Sequence, residues 1–144
     1  MENRTNITNE DKQLLLKDLC ARLPYGVKYK DAHGNEQFLI VWSKGFHTAL
    51  NTILYDDRPS LYLHLMSSMT EEEQKIFDGF CVIDEEAWKG NGVVGFINQS
   101  KIFEKAINFL NSQHFDYRGL IEKGLAIEAP EGMYDLILFI YSMI

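Results

Sequence analysis

The sequence lacks the features that identify several large classes of protein. It has only two cysteines and three prolines in 144 residues, so it predicts neither a disulfide framework nor a proline-rich segment. It contains no run of lysine or arginine, and its formal net charge is −7. An acidic chain has no general attraction to phosphate backbones, which argues against direct nucleic-acid binding. The acidity would suit a basic partner protein, although solubility alone also explains it.

The chain also lacks a recognisable targeting or membrane segment. Its first thirteen residues are polar, so no secretory signal is predicted. The apolar residues 133–144 number twelve, fewer than the ~20 that cross a bilayer. We therefore expect a cytoplasmic protein without membrane contact, in which this segment is a buried terminal strand or a homodimer contact. The apolar surroundings of Cys20 and Cys81 predict small buried side chains.

The pattern of apolar residues predicts one α+β domain over residues 8–144, after a flexible leader over residues 1–7. A first helix begins after Thr8, which is expected to form a capping box with Asp11, and ends near Arg22. The apolar stripe of this helix comprises Leu15, Leu16, Leu19, Cys20 and Leu23.

Several short runs have the composition of strands. Residues 27–30 and 38–42 are predicted to pair as a β-hairpin across a turn-rich connection. Further strands are expected at residues 46–55, 61–66, 93–97 and 125–129. Together they predict an antiparallel sheet, packed with about three helices.

The clearest helix start lies at residues 67–73. Either Ser68 with Glu71 or Thr70 with Glu73 can form a capping box, and the helix is expected to run to about Phe80. Another amphipathic helix is predicted from about Lys101 to Asn111. Its apolar face comprises Ile102, Phe103, Ala106, Phe109 and Leu110.

The segment from His114 to Arg118 has the densest set of chemically useful side chains. Imidazole titrates near neutrality, and the Asp116 carboxylate is a group that orients imidazole for acid–base work. Residues two apart, however, point to opposite faces of a strand and are poorly aligned on a helix. The structural alternative places Phe115 and Tyr117 in the core, with Asp116 capping the next turn and Arg118 pairing locally. We retain His114, Asp116, Tyr117 and Arg118 as candidate ligand-binding residues, and we assign no catalytic residue.

Other motifs are weaker. No two histidines have metal-ligand spacing, so no metal or cofactor is predicted. Residues 90–95 differ by one position from a dinucleotide-binding glycine motif and are interpreted as a flexible turn before a strand. The acidic runs at residues 71–73 and 84–86 are typical of helix starts. No serine lies in a G-x-S-x-G context, which removes support for a hydrolase of that kind.

Three segments resemble a large family of proteins from gut Bacteroidetes and their mobile elements. They are residues 14–27 (LLLKDLCARLPYGV), 65–74 (LMSSMTEEEQ) and 111–129 (NSQHFDYRGLIEKGLAIEA). The family has no established activity, so the resemblance implies no catalytic roles. Residues 28–64 and 84–99 look particular to this chain, and the apolar segment from Asp135 onward departs from the family pattern. A common frame with differing strands is what a binding module would have.

These observations lead to three hypotheses. The first is a small, acidic, non-enzymatic binding or regulatory protein, such as a mobile-element accessory factor or an inhibitor of a basic partner. The second is a protein that binds or sequesters a nucleotide-like ligand, because His114, Tyr117 and Arg118 suit anions and bases. The third and weakest is an enzyme of unrecognised type.

Overall fold

The fold is α+β, as the sequence predicts. The computed structural model describes residues 7–81 and 92–134. Within these ranges the helices are α1 (Asn9–Arg22), α2 (Phe46–Tyr55), α3 (Glu71–Phe80) and α4 (Gly92–Ser112). The strands are β1 (Lys28–Lys30), β2 (Glu36–Phe38), β3 (Leu61–Leu63) and β4 (Ala126–Glu128). Two 3₁₀ turns lie at Leu23–Tyr25 and Met66–Ser68.

The four strands form one mixed sheet in the order β2-β1-β3-β4. β1 pairs antiparallel with both β2 and β3, whereas β3 and β4 are parallel. The prediction of an antiparallel sheet is therefore wrong at the last pair. Parallel strands need a long crossover, and here α3 and α4 lie between β3 and β4 in the chain. The predicted strand at residues 125–129 is confirmed as β4.

Helix α1 follows its prediction closely. The Thr8 hydroxyl accepts a hydrogen bond from the Asp11 amide at 3.0 Å, and the helix ends at Arg22. Leu15 and Leu19 are fully buried. Cys20 is exposed, as is Cys81 at the end of α3, and both are free thiols. The expectation that the cysteines are buried is therefore wrong.

The predicted hairpin is confirmed, but its second strand starts and ends earlier than expected. The Asp31 carboxylate accepts hydrogen bonds from the His33 and Asn35 amides, and this tight turn pairs Lys30 with Glu36. Strand β2 consequently ends at Phe38, and residues 40–42 lie outside the sheet.

Residues 46–55 form a helix, so the strand predicted there is wrong. The aromatic and β-branched composition of this segment favours strands. Its apolar residues nevertheless have the three-to-four spacing of a helix, and Ala49 and Ile53 are buried. Burial of that face outweighs local composition. The apolar positions are Phe46, Ala49, Leu50, Ile53 and Leu54.

The strand predicted at residues 61–66 is confirmed over Leu61–Leu63, with Met66 in the following 3₁₀ turn, and the helix after it is confirmed. Leu61 and Leu63 are buried and Tyr62 between them is half-buried, which is the alternation of a strand. The capping box of α3 uses Thr70 and Glu73, one of the two pairs that the sequence left open.

Helix α4 begins earlier than predicted. It covers 21 residues from Gly92, so the strand at residues 93–97 is wrong, and so is the turn over the last residues of the 90–95 motif. Gly92 and Gly95 lower helix propensity by about 1 kcal/mol each but do not prevent a helix. The predicted helix at residues 101–111 is the second half of α4. Residues 90–91 and the acidic run at 84–86 lie outside the described residues.

The core has two parts. The larger part lies between one face of the sheet and helices α1 and α2, and the smaller part joins α3 to the end of α4 around Phe109, Leu110 and Phe115. The segment that follows α4 lies where the two parts meet, because Phe115 belongs to one and Leu120 to the other. No helix in the described ranges is long and apolar enough to cross a membrane.

Candidate functional site

The segment His114–Arg118 is held against the end of β3. The His64 amide donates to the His114 carbonyl at 2.7 Å, and the Asp116 amide donates to the His64 carbonyl at 2.8 Å. His114 itself has a φ of +59°, in the left-handed region that non-glycine residues seldom adopt. This backbone turns the chain from the end of α4 into the sheet.

His114 points into the core and is fully buried. Its Nε2 lies 3.2 Å from the Tyr25 carbonyl, and its ring stacks on Tyr134 with centroids 3.8 Å apart. Since a carbonyl only accepts, Nε2 carries the proton and Nδ1 is a bare acceptor, for which the described residues provide no partner. Burial, reinforced by the nearby Arg22 charge, lowers the pKa of His114 from 6.5 to about 3. The imidazole is therefore neutral near pH 7.

Asp116 is buried and acts as a backbone cap. One carboxylate oxygen accepts from the Leu120 amide at 2.8 Å and the other from the Ile121 amide at 2.9 Å. This confirms the structural alternative for Asp116, which nucleates the turn before β4. His114 and Asp116 therefore have separate sets of partners, and neither orients the other.

Arg118 belongs to a cluster of three charged side chains, Asp18, Arg22 and Arg118, which we call the buried charge cluster. Arg22 and Asp18 are fully buried and form two hydrogen bonds, at 2.8 Å and 3.0 Å. Arg118 donates to the same Asp18 carboxylate at 2.8 Å, across 100 residues of sequence. The prediction that Arg118 pairs locally is therefore wrong.

The remaining donors of Arg22 reach the backbone after α4. Its Nη2 donates to the Phe115 carbonyl at 2.6 Å and its Nη1 to the Leu110 carbonyl at 3.5 Å. One guanidinium thus joins α1, the end of α4 and the His114–Arg118 segment. Such a planar, multiply bonded arrangement is characteristic of arginine rather than lysine.

Tyr117 completes this region. The guanidinium carbons of Arg22 and Arg118 lie 5.4 Å and 4.6 Å from its ring centroid. Its hydroxyl donates to the Asn111 side chain at 2.9 Å. Phe115 is buried as expected, whereas Tyr117 is half-buried.

Sequence reasoning missed Asp18 and Arg22 as members of this region. A usable signal was present, because Leu15, Asp18, Leu19 and Arg22 have the spacing of one helix face. An acidic and a basic residue four apart on an apolar face predict a buried ion pair.

None of the four candidate residues lines either of two cavities on the surface of the described residues. One lies between the hairpin turn and the loop after α2, with Lys30, Asp31 and Arg58 in its wall. The other lies at the start of α3, around Thr70 and Gln74. Within residues 7–81 and 92–134 no group of histidine, cysteine and acidic side chains has a metal-binding arrangement. Ligand binding by His114, Asp116, Tyr117 and Arg118 stays a prediction.

Comparisons with protein-family models, curated proteins and solved structures found no match.

Proposed function

We propose that this protein is a non-enzymatic binding module, and that it contacts a partner protein through an apolar loop. The loop comprises Phe38, Ile40, Val41 and Trp42, and we call it the Trp42 loop. The exposed fractions of these residues are 50%, 41%, 49% and 90%. Exposed aliphatic side chains are common singly, but a contiguous group with a fully presented tryptophan is typical of an interface.

The exposed tryptophan is the observation that carries this proposal. Tryptophan is enriched among the interface residues that contribute most to binding, because it buries a large area with few rotatable bonds. While Trp42 is exposed to water, the free energy that burial of its side chain would contribute is not gained. A docking partner with an apolar pocket would recover it.

The backbone of the loop is held in place, which favours binding. Leu39 is buried, and its amide donates to the Val27 carbonyl at 2.9 Å. The Ser43 hydroxyl and amide both donate to the Ile40 carbonyl, at 2.9 Å and 3.2 Å. A loop that is already ordered loses less conformational entropy on binding.

Two further observations support a binding module over an enzyme. The polar side chains that first suggested chemistry serve as caps and ion pairs that join α1, α4 and the sheet. The Trp42 loop also lies in residues 28–64, the part of the sequence that looks particular to this chain. A frame resembling the Bacteroidetes family with its own exposed loop fits a module whose partner differs between members. An accessory role in a mobile element belongs to the same proposal.

The test is affinity purification of the tagged protein from its native host, compared with Trp42→Ala. We expect at least one partner to be enriched by the wild type and reduced more than tenfold by the substitution, since loss of a central tryptophan costs at least about 2 kcal/mol. The matched control is Tyr55→Ala, which removes another exposed aromatic, on α2, and should leave the partner bound.

Two results would count against the proposal. One is the absence of any partner enriched over the tag alone, and the other is equal loss with both substitutions.

The charge of the partner can be determined from the same experiment. A basic partner of this acidic chain should be released progressively as the salt concentration is raised about tenfold, from ~0.05 M to ~0.5 M.

A further inference from the structure

A second group of exposed apolar residues lies on α4, a different element from the Trp42 loop. Its residues follow heptad spacing, with Val93, Phe96, Phe103 and Ile107 on one line of the helix and Ile97 beside it. The exposed fractions are 68%, 66%, 50%, 41% and 47%, respectively. We call this set the α4 stripe. The neighbouring face of α4, with Gly95, Ala106 and Phe109, is buried in the protein.

From this stripe we infer that two copies of the chain associate through antiparallel α4 helices, related by a two-fold axis midway between Ser100 and Phe103. Ser100 is the one small residue on the line, and it is exposed between the two phenylalanines. When the helices run antiparallel, the Phe103 ring of one copy meets the space above Ser100 of the other. The same register places Phe96 against Ile107. The stripe is thus complementary to itself, as a two-fold interface requires.

The charges beside the stripe also match in this register. Exposed Glu104 and Lys101 lie on the same edge of the helix, and an antiparallel pairing brings Glu104 of one copy towards Lys101 of the other. With Lys105, the described helix carries two positive charges and one negative in a chain of net charge −7. This helix surface therefore does not share the net negative charge that would repel a second copy.

The size of the stripe sets the expected strength. From Val93 to Ile107 it extends ~21 Å along the helix, and its exposed apolar area is on the order of 500 Å² per copy. Two copies would bury about 1,000 Å², at the lower limit for stable association. We therefore expect a reversible dimer with a dissociation constant of about 10 μM.

Sedimentation equilibrium between 1 and 200 μM measures this directly. Phe96→Asp with Phe103→Asp should raise the dissociation constant more than a hundredfold, and circular dichroism checks that the double variant is folded. Glu104→Lys alone should raise it about tenfold, because two symmetric pairs become repulsive. Adding Lys101→Glu should restore it to within about threefold of the wild type.

Crosslinking tests the two-fold axis. In a Cys20→Ser, Cys81→Ser background, which removes both native thiols, Ser100→Cys should join two copies through a short bismaleimide. Lys105→Cys lies on the side of α4 that faces away from the stripe and should not.

A monomer at 200 μM would overturn the inference. A dimer that is unaffected by Phe96→Asp with Phe103→Asp would also overturn it, because such a dimer must use another surface, such as residues 135–144. The same holds if adding Lys101→Glu to Glu104→Lys fails to restore association. The inference is independent of the Trp42 loop, so each can fail alone.

Discussion

At the residue scale, Asp18 shows how a buried charge is tolerated in this fold. Moving a carboxylate out of water costs several kcal/mol, which only good geometry and further hydrogen bonds offset. Asp18 meets that condition because two guanidinium groups donate to it at 2.8–3.0 Å. The donors of Arg22 that do not reach Asp18 reach two backbone carbonyls. The arrangement is specific, because loss of either partner leaves the other buried and uncompensated.

Asp18→Ala should therefore destabilise the protein by about 3–5 kcal/mol, the usual cost of breaking a buried ion pair from one side. Urea unfolding followed by circular dichroism measures the change. The control is Lys17→Ala, an exposed position one residue earlier on α1, which should change the free energy of unfolding by less than about 0.5 kcal/mol. Equal effects of the two substitutions would contradict the importance of the buried charge cluster.

His114 gives the stability a dependence on pH. Burial lowers its pKa from 6.5 to about 3 in the folded protein. Between these two pH values the imidazole is therefore protonated in the unfolded chain but not in the folded protein. The free energy of unfolding should then fall as the pH decreases from 6.5 towards 3, by up to about 1.4 kcal/mol per pH unit.

Urea unfolding at pH 7.5 and 5.0 isolates this contribution when wild type is compared with His114→Asn. Asparagine tolerates the left-handed backbone but does not titrate. We expect the variant to be less stable at pH 7.5 and to lose less stability between the two pH values. His47→Asn, at an exposed position on α2, should retain the full loss. An identical pH dependence in wild type and His114→Asn would show that the imidazole is not the group involved.

At the element scale, the start of α3 shows which of two possible capping residues a helix uses. The sequence offers Ser68 and Thr70 as alternatives, and in the structure the Thr70 hydroxyl accepts from the Glu73 amide while the Glu73 carboxylate accepts from the Thr70 amide. Thr70→Ala should therefore cost about 1 kcal/mol, or ~3 °C in the melting temperature of a domain of this size. Ser68→Ala should cost less, because the hydrogen bond from its hydroxyl to the Leu65 carbonyl is exposed to solvent. Thermal unfolding ranks the two, and a larger effect of Ser68→Ala would reverse the assignment.

The elements that the sequence predicts correctly are those marked by local signals. Thr8 and Thr70 mark the helix starts, and the Leu61–Leu63 alternation marks β3. The errors occur where local composition and burial disagree. Residues 46–55 have a strand-like composition but form a helix whose helically spaced apolar face, with Ala49 and Ile53, is buried. Residues 92–97 contain two glycines and nevertheless form the first turns of α4, with Gly95 buried.

The candidate site was predictable only in its short-range part. Asp116 capping the following turn depends on residues four and five positions away, and the pattern indicated it. The Asp18–Arg118 contact spans 100 residues, and the stacking of His114 on Tyr134 depends on how the sheet closes. Single-sequence patterns carry no information about such pairings. The parallel alignment of β3 with β4 was missed for the same reason.

At the scale of the whole molecule, Tyr134 joins the parts of the fold. It is buried, its ring stacks on His114, and it makes an edge contact with His64 at 5.6 Å. Its hydroxyl donates to the Tyr62 carbonyl at 2.9 Å and accepts from the Lys28 amide at 3.1 Å. One side chain thus connects β1, β3 and the segment after α4. Tyr134 itself lies beside β1. The predicted terminal strand or dimer contact at residues 135–144 lies outside the described residues.

Tyr134→Phe separates the hydroxyl from the ring. The ring contacts remain, whereas a partly buried amide and a partly buried carbonyl lose a partner, so the free energy of unfolding should fall by about 1–3 kcal/mol. Tyr55→Phe removes a hydroxyl from a side chain that is 64% exposed and should cost less than about 0.5 kcal/mol. Hydrogen exchange adds a local measurement, because the Lys28 amide should exchange faster in Tyr134→Phe than global destabilisation alone requires. If that amide keeps its protection, Tyr134 connects β1 to the rest of the molecule through its ring, and the hydroxyl has no part in it.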